Sequence, residues 1–214
     1  MASIFYVATK EGDPLTVRSK PNGESVGSLS NGTEVQVTGE PVQAGNRKWV
    51  QIGTNRWVAN EFLTSIKTAR VVAKRTTKTI GGGLRVYETR LIDSNGNVIN
   101  TVQAVSGRVG KQTPSDVAGS ETPVPFGIYK FDNPGVVGTP PGNKPEFGGV
   151  WSPVTPLFST GRSGIGVHYD PSALAQNANT GTAGCFATPT VKERDIMTNF
   201  IRTHKPTHLI VYEG

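Results

Sequence analysis

Two residues of this chain, Cys185 and His168, have the side chains and surroundings that a cysteine nucleophile needs. Cys185 is the only cysteine, so it cannot form an internal disulfide. It lies in the run 182–186 (Thr-Ala-Gly-Cys-Phe), where the glycine lets backbone amides approach the sulfur and the carbonyl it attacks. His168 precedes it with 16 residues between them and can act as the base. The pattern favours a nucleophile; the alternative is a buried cysteine acting as a small hydrophobe.

The other two histidines predict no second site. His204 and His208 follow the thiol closely, and we interpret them as a cation at a helix C-terminus and a surface strand residue. Three histidines are few for a metal centre, and Pro206 breaks the helical register that would place these two on one face. We therefore predict no metal and no cofactor.

Composition favours a mostly β protein. The 214 residues include 26 glycines and 15 prolines, with few long apolar stretches of helical period, as expected for short strands joined by turns. This length allows one large domain or two smaller ones. No apolar run approaches the roughly 20 residues that span a bilayer, so we expect no membrane span. No export signal is visible in the first residues.

The net charge of +6 predicts attraction to a polyanion, such as nucleic acid, anionic lipid or an acidic cell-wall polymer. Basic residues crowd between Lys67 and Arg90, where Glu88 is the only acid. Neither a recognition helix nor an aromatic stacking pattern accompanies them, so we interpret this segment as a solvated face of exposed strands. We predict no nucleic-acid partner; DNA binding through this segment is the weaker alternative.

Residues 1–66 have the pattern of short strands separated by turns. Apolar and polar positions alternate, and Asn22-Gly23 and Asn31-Gly32 are strong turn dipeptides. The predicted strands are Leu15–Arg18, Val26–Leu29, Glu34–Val37, Lys48–Ile52 and Arg56–Val58. Five strands in so short a segment predict a small barrel.

The motifs of this segment resemble those of a bacterial SH3-like domain. They are 15–21 (Leu-Thr-Val-Arg-Ser-Lys-Pro), 27–29 (Gly-Ser-Leu), 32–35 (Gly-Thr-Glu-Val) and 57–63 (Trp-Val-Ala-Asn-Glu-Phe-Leu). The resemblance implies docking onto peptidoglycan or its peptide stems, with a rigid spacer as the alternative role. Trp49 and Trp57 are either aromatic contacts to the ligand or core residues.

The remainder of the chain predicts further strands and one helix. Thr190 to Glu193 has the form of a capping box, apolar residues from Ile196 to Ile201 recur at helical spacing, and Lys205-Pro206 ends the helix. The predicted strands are Leu84–Glu88, Val98–Ile99, Val102–Val105, Val124–Phe131 and Leu209–Tyr212.

This second part, about residues 71 to 214, resembles the catalytic domain of the L,D-transpeptidases, which cross-link peptidoglycan through a cysteine. The resemblance rests on Leu84–Tyr87, on 122–129 (Thr-Pro-Val-Pro-Phe-Gly-Ile-Tyr), on 164–168 (Gly-Ile-Gly-Val-His) and on the cysteine run 182–186. Papain-like cell-wall endopeptidases place the cysteine before the histidine, whereas here His168 precedes Cys185. We predict an SH3-like domain at 1–66, a linker at 67–72 and a β-rich catalytic domain with one main helix at 73–214.

The resemblance implies a mechanism. Cys185 attacks the stem peptide to form a thioester, and His168 takes the thiol proton. The amides of Gly184 and Cys185 form the oxyanion hole, with Thr182 as a further contributor. A backbone carbonyl often orients the histidine in this family. Asp170 is either that orienting group or a solvent-facing loop residue.

The chain also departs from the family pattern. Tyr169 replaces a glycine, Ala183 a polar residue, and Ala187 an arginine; Arg162 and Arg202 can compensate for the last of these. We assign Arg162 and Tyr169 to substrate binding.

Phe186, the residue after the thiol, is a third predicted substrate contact. The expected partner is the peptidoglycan stem peptide, in the periplasm or cell wall, and we expect a monomer. Alternatives are an L,D-carboxypeptidase or endopeptidase-type peptidoglycan hydrolase, and a cell-wall-binding protein without activity.

Overall fold

Seven strands form an antiparallel sheet in the N-terminal part of the chain, in a computed structural model that describes residues 3–214. They are β1 (Ser3–Val7), β2 (Leu15–Arg18), β3 (Ser25–Leu29), β4 (Glu34–Ala44), β5 (Arg47–Gly53), β6 (Arg56–Ala59) and β7 (Leu63–Thr64). The strand order is β3-β2-β6-β5-β4-β1-β7. The sequence pattern predicts β2 to β6 and misses β1 and β7. Only the end of β1 is buried and β7 has two residues, so neither shows a clear alternation.

Eight strands close into a barrel in the C-terminal part. They are β8 (Arg70–Ile80), β9 (Leu84–Ile92), β10 (Val98–Arg108), β11 (Gly127–Phe131), β12 (Trp151–Pro156), β13 (Gly166–Tyr169), β14 (Gly181–Thr188) and β15 (His208–Glu213). The order is β10-β14-β13-β12-β11-β15-β8-β9, in which β13–β14 and β15–β8 are parallel pairs and the others antiparallel. The prediction of a mostly β chain is confirmed.

The helix α1 (Val191–His204) begins and ends as predicted. The Thr190 hydroxyl accepts the amide of Glu193 at 3.3 Å and donates to its carboxylate at 2.9 Å, so Thr190 is the N-cap of the helix. Lys205 takes a left-handed conformation just before Pro206. Met197, Phe200 and Ile201 pack into the core of the barrel domain. No helix within residues 3–214 combines the length and apolarity needed to cross a membrane.

The arginines of the basic segment 67–90 make contacts within the protein. Strand β8 begins at Arg70, so the last part of the segment predicted as a linker, 70–72, already belongs to the barrel and is buried there. The Arg75 and Arg85 guanidiniums share the Glu213 carboxylate, at 3.1 and 2.8 Å, and Arg90 pairs with Glu34. These arginines are paired, unlike the solvated face that the charge pattern predicts.

A buried interface joins the sheet to the barrel. Tyr6 from β1 packs with barrel residues such as Val72 and Ile210 in one apolar cluster. The buried Arg70 donates its Nε hydrogen to the Tyr6 hydroxyl over 2.9 Å, and the pair of Arg90 and Glu34 (2.9 Å) crosses the same interface. These contacts hold the two parts in a fixed relation.

We predict that Tyr6→Phe lowers the free energy of unfolding by about 1–3 kcal/mol, because the buried Arg70 Nε loses its acceptor. Urea unfolding measures the change. Tyr169→Phe, in which a half-buried ring loses its hydroxyl, is the matched control and should change little. Equal stability of the two variants would contradict a structural role for the Tyr6–Arg70 bond.

Candidate functional site

The parallel pair β13–β14 positions the two predicted catalytic side chains. In its register Val167 lies opposite Phe186 and His168 opposite Ala187. Val167 and Phe186 both point into the core of the barrel domain. Because side chains alternate along a strand, His168 and Cys185 lie together on the other face. The structure therefore brings the predicted base and nucleophile to adjacent strands on one face.

A backbone carbonyl orients the His168 ring. Its Nδ1 lies 2.8 Å from the Tyr169 carbonyl oxygen and donates to it, which leaves Nε2 as the acceptor. Nε2 is buried and has no hydrogen-bond partner within the described residues. Burial lowers the pKa of His168, partly offset by the Tyr169 bond and by Asp170 and Glu146. The imidazole is therefore held neutral, with a free basic nitrogen.

Aromatic rings cover this imidazole. Phe147, in the short 3₁₀ turn Pro145–Phe147, meets the His168 ring edge-on at a centroid distance of 4.7 Å, and the Trp151 indole stacks at 6.0 Å. The indole also lies over Gly166, where a side chain would overlap it. The segment 141–151 therefore forms one wall of the site.

The Cys185 thiol is buried, with 9% of the residue exposed. Its Sγ donates to the Gly164 carbonyl oxygen at 3.8 Å. Burial raises the pKa of Cys185, opposed by a backbone hydrogen bond from Gly166 and by the charge of Arg162. In this conformation the thiol is protonated near neutral pH and is not hydrogen-bonded to His168.

Two hydroxyls fix the backbone at the thiol. The Cys185 carbonyl oxygen accepts from Thr182 Oγ1 and from Ser106 Oγ, each at 2.8 Å. Thr182 Oγ1 in turn accepts the amides of Gly184 (3.1 Å) and Gly107 (3.0 Å). The Gly184 amide, a predicted oxyanion donor, is thus bound to Thr182 in this conformation. Thr182 lies at the site, where it braces the turn before the thiol.

The residues predicted to contact substrate are buried or only partly accessible. Phe186 is fully buried and meets Tyr87 edge-on at 5.6 Å, which contradicts its predicted contact with substrate. Because side chains alternate along a strand, the neighbouring Cys185 points to the opposite face. The Tyr169 ring packs against Gly148 and under the Arg194 guanidinium, at 5.5 Å, and is only partly accessible.

Arg162 and Asp170 are buried rather than solvent-facing. Arg162 is 7% exposed and its guanidinium binds protein oxygens, including the Gly184 carbonyl, so it is not available to substrate. Asp170 is 2% exposed and accepts both the amide and the hydroxyl of Ser172. The orienting group for His168 is the Tyr169 carbonyl, and Asp170 contributes only through its charge.

Sequence reasoning missed three side chains that shape the site: Ser106, Phe147 and Trp151. Ser106 reaches Cys185 through the pairing of β10 with β14, and Trp151 reaches His168 through the pairing of β12 with β13. No local pattern signals such pairings between distant strands. Within the described residues no cluster of histidine, cysteine and acidic side chains could hold a metal ion.

A separate groove of about 320 Å³ lies on the N-terminal sheet, away from Cys185. Arg18 lies over the Trp49 ring at 5.7 Å and Arg47 over the Phe62 ring at 5.5 Å, and all four residues line the groove. Trp49 is 4% exposed, so it is a core residue whose edge contributes to the groove. The groove therefore combines aromatic and cationic groups.

Comparison with known proteins identifies the N-terminal part. Residues 13–64 match the family model described as bacterial SH3 domain, a range that extends from just before β2 to the end of β7. Nothing among the curated proteins or the solved structures matches the chain. The chain thus carries a bacterial SH3 domain, which suggests association with the cell wall, followed by a β-barrel domain.

Proposed function

We propose that the barrel domain is a cysteine acyltransferase of peptidoglycan, an L,D-transpeptidase, that the SH3 domain holds at the cell wall. One observation carries the proposal. His168 and Cys185 lie on one face of paired parallel strands, with the imidazole oriented through Nδ1 and its Nε2 unpartnered. This arrangement supports a nucleophile and its base, with the Tyr169 carbonyl as the group that orients the base.

The reaction begins with the neutral pair. His168 Nε2 takes the thiol proton while Cys185 Sγ attacks the carbonyl of an L-to-D bond in the stem peptide. The tetrahedral intermediate collapses as the imidazolium returns the proton to the departing amine of the terminal D-residue, which leaves a thioester. An amine of a neighbouring stem, or water, then attacks the thioester, and His168 Nε2 accepts its proton before the thiol is released.

Substrate access requires a change at the segment 141–151. In the structure Phe147 and Trp151 cover His168, and the sulfur faces the Gly164 carbonyl. Displacement of these rings opens the face shared by the two strands. Gly148 and Gly149 follow Phe147 directly, and both have a positive φ that other residues rarely adopt.

The burial of the thiol favours a second candidate function, a cell-wall-binding protein without activity. A buried cysteine that donates to a carbonyl can be a small hydrophobe of the core. The unpartnered His168 Nε2 supports the enzyme, since it leaves a basic nitrogen on the face that also carries Cys185. The hydrolase alternative uses the same residues, with water as the acceptor.

We predict that a carbapenem acylates the wild-type protein once, at Cys185, and that Cys185→Ala abolishes the adduct. The same variant should lose all processing of disaccharide-tetrapeptide, because no other cysteine exists. Intact-mass spectrometry and separation of the muropeptide products measure both. A folded wild-type protein without adduct or product would favour the binding protein, and product ratios with and without an amine acceptor distinguish transfer from hydrolysis.

We predict that His168→Gln lowers kcat by about 10²–10⁴-fold, as expected for loss of a general base. Burial lowers the pKa of His168, so its basic form persists to lower pH than in an ordinary histidine. The acid limb of kcat/KM should therefore lie below the usual histidine range in the wild type. The control is His204→Gln, at the end of α1, with an unchanged profile. An identical acid limb in His168→Gln would rule out His168 as the base.

A further inference from the structure

The Arg162 side chain is buried behind the nucleophile and is fully engaged. Its Nη2 donates to the Gly184 carbonyl at 3.1 Å, directly before the thiol residue. Its other acceptors, all oxygens of one neighbouring segment, are Ser115 O, Ser120 Oγ, Thr122 O and Thr122 Oγ1, at 3.1 to 3.4 Å. The guanidinium therefore joins the turn before Cys185 to the segment 115–122.

This guanidinium has no counter-ion. Seven ion pairs occur among residues 3–214, and Arg162 takes part in none of them. All of its hydrogen-bond acceptors are neutral carbonyl and hydroxyl oxygens. A buried charge is ordinarily paired, because its desolvation is otherwise uncompensated. The Arg162 charge is therefore balanced only by neutral hydrogen-bond acceptors among residues 3–214, and an anion formed nearby would be stabilised by it.

The Cys185 thiol, in the residue after the Gly184 carbonyl that Arg162 binds, can become that anion. The charge of Arg162 acts on Cys185 and lowers its pKa, opposing the effect of burial. Gly184, at φ +110°, lets the guanidinium lie against the backbone, since a Cβ there would overlap Nη2. The close approach thus depends on the glycine that precedes the thiol.

We propose that Arg162 is a positioning residue for the nucleophile: it fixes the peptide before Cys185 and supplies the countercharge for the Cys185 thiolate. The inference rests on the proposed function of Cys185 as nucleophile. It assigns Arg162 a role in activating the sulfur rather than in binding substrate. His168 takes the proton, and Arg162 stabilises the anion that remains.

The other charged groups near the thiol do not fill this role. His168, on β13, has a lowered pKa and becomes a cation only when it takes the thiol proton. On the segment 115–122, the Glu121 carboxylate pairs with Arg108 and Lys111, and Asp116 is an anion and so cannot balance a thiolate. Strand β10 presents the neutral hydroxyl of Ser106. Arg162 is therefore the cation that burial places at the sulfur.

The test is the pH titration of the single thiol in Arg162→Met, Arg162→Lys and the wild type. Thiolate absorbance, corrected with Cys185→Ser, gives the midpoint without any need for reagent access. In Arg162→Met we expect a midpoint about one unit higher, a roughly tenfold smaller thiolate fraction at a given pH. Arg162→Lys keeps the charge, so its midpoint should return most of the way. Arg202→Met, on the exposed face of α1, is the control and should titrate like the wild type.

A folded Arg162→Met protein with the wild-type midpoint would overturn the proposal. If this variant does not fold, Arg162→Lys and Arg162→Gln are compared in its place, and equal midpoints in these two would overturn it as well. The titration needs no peptidoglycan. A normal shift without muropeptide processing would therefore count against the proposed function and leave the role of Arg162 intact.

Discussion

The parallel pairing of β13 with β14 is the constraint on which the site depends. It places His168 opposite Ala187, so that Cys185 lies on the adjacent strand and the same face. A shift of one residue would turn the thiol into the core and bring Phe186 to the surface. The buried pair of Val167 and Phe186 opposes that shift, because both side chains are already packed in the core. The same register thus determines both the core packing and the position of the Cys185 thiol.

Burial favours the neutral form of both the His168 imidazole and the Cys185 thiol, with opposite consequences for their chemistry. It keeps the imidazole neutral and the thiol protonated, which preserves a free base but disfavours the thiolate. The Gly166 backbone hydrogen bond and the Arg162 charge lower the pKa of Cys185 and so favour the thiolate. The covering rings of Phe147 and Trp151 maintain the dry surroundings in which such interactions are strong. Under the proposed function, the closed site is the resting arrangement, with the charges that act on the thiol already close to it.

Local signals in the sequence predicted much of the fold, and long-range pairing accounts for what they missed. Alternation indicates β2 to β6, and the capping box at Thr190 with Pro206 bounds α1, because these patterns involve neighbouring residues. Closure of the barrel and the approach of Ser106 and Trp151 depend on distant strands. Residue types and spacing predicted a pairing of Cys185 with His168, and the register of β13 with β14 brings the two to one face. The prediction of Phe186 as a substrate contact did not take the alternation of side chains along the strand into account. Arg162 is one of the two arginines predicted to compensate for the alanine at 187. Its contact with this strand is to the backbone carbonyl of Gly184.

The SH3 domain is connected to the site through one short segment, 157–164. The amide of Ser159 donates to the Lys10 carbonyl at 2.8 Å, and the Phe158 ring packs against Gly12, both in the loop between β1 and β2. The same segment carries Arg162, whose guanidinium binds the Gly184 carbonyl just before the thiol residue. It also carries Gly164, whose carbonyl accepts a hydrogen bond from the sulfur. Lys10 also lines the aromatic and cationic groove of the SH3 domain. The segment is thus held at one end by contacts to the N-terminal domain and at the other by contacts to the strand that carries the thiol.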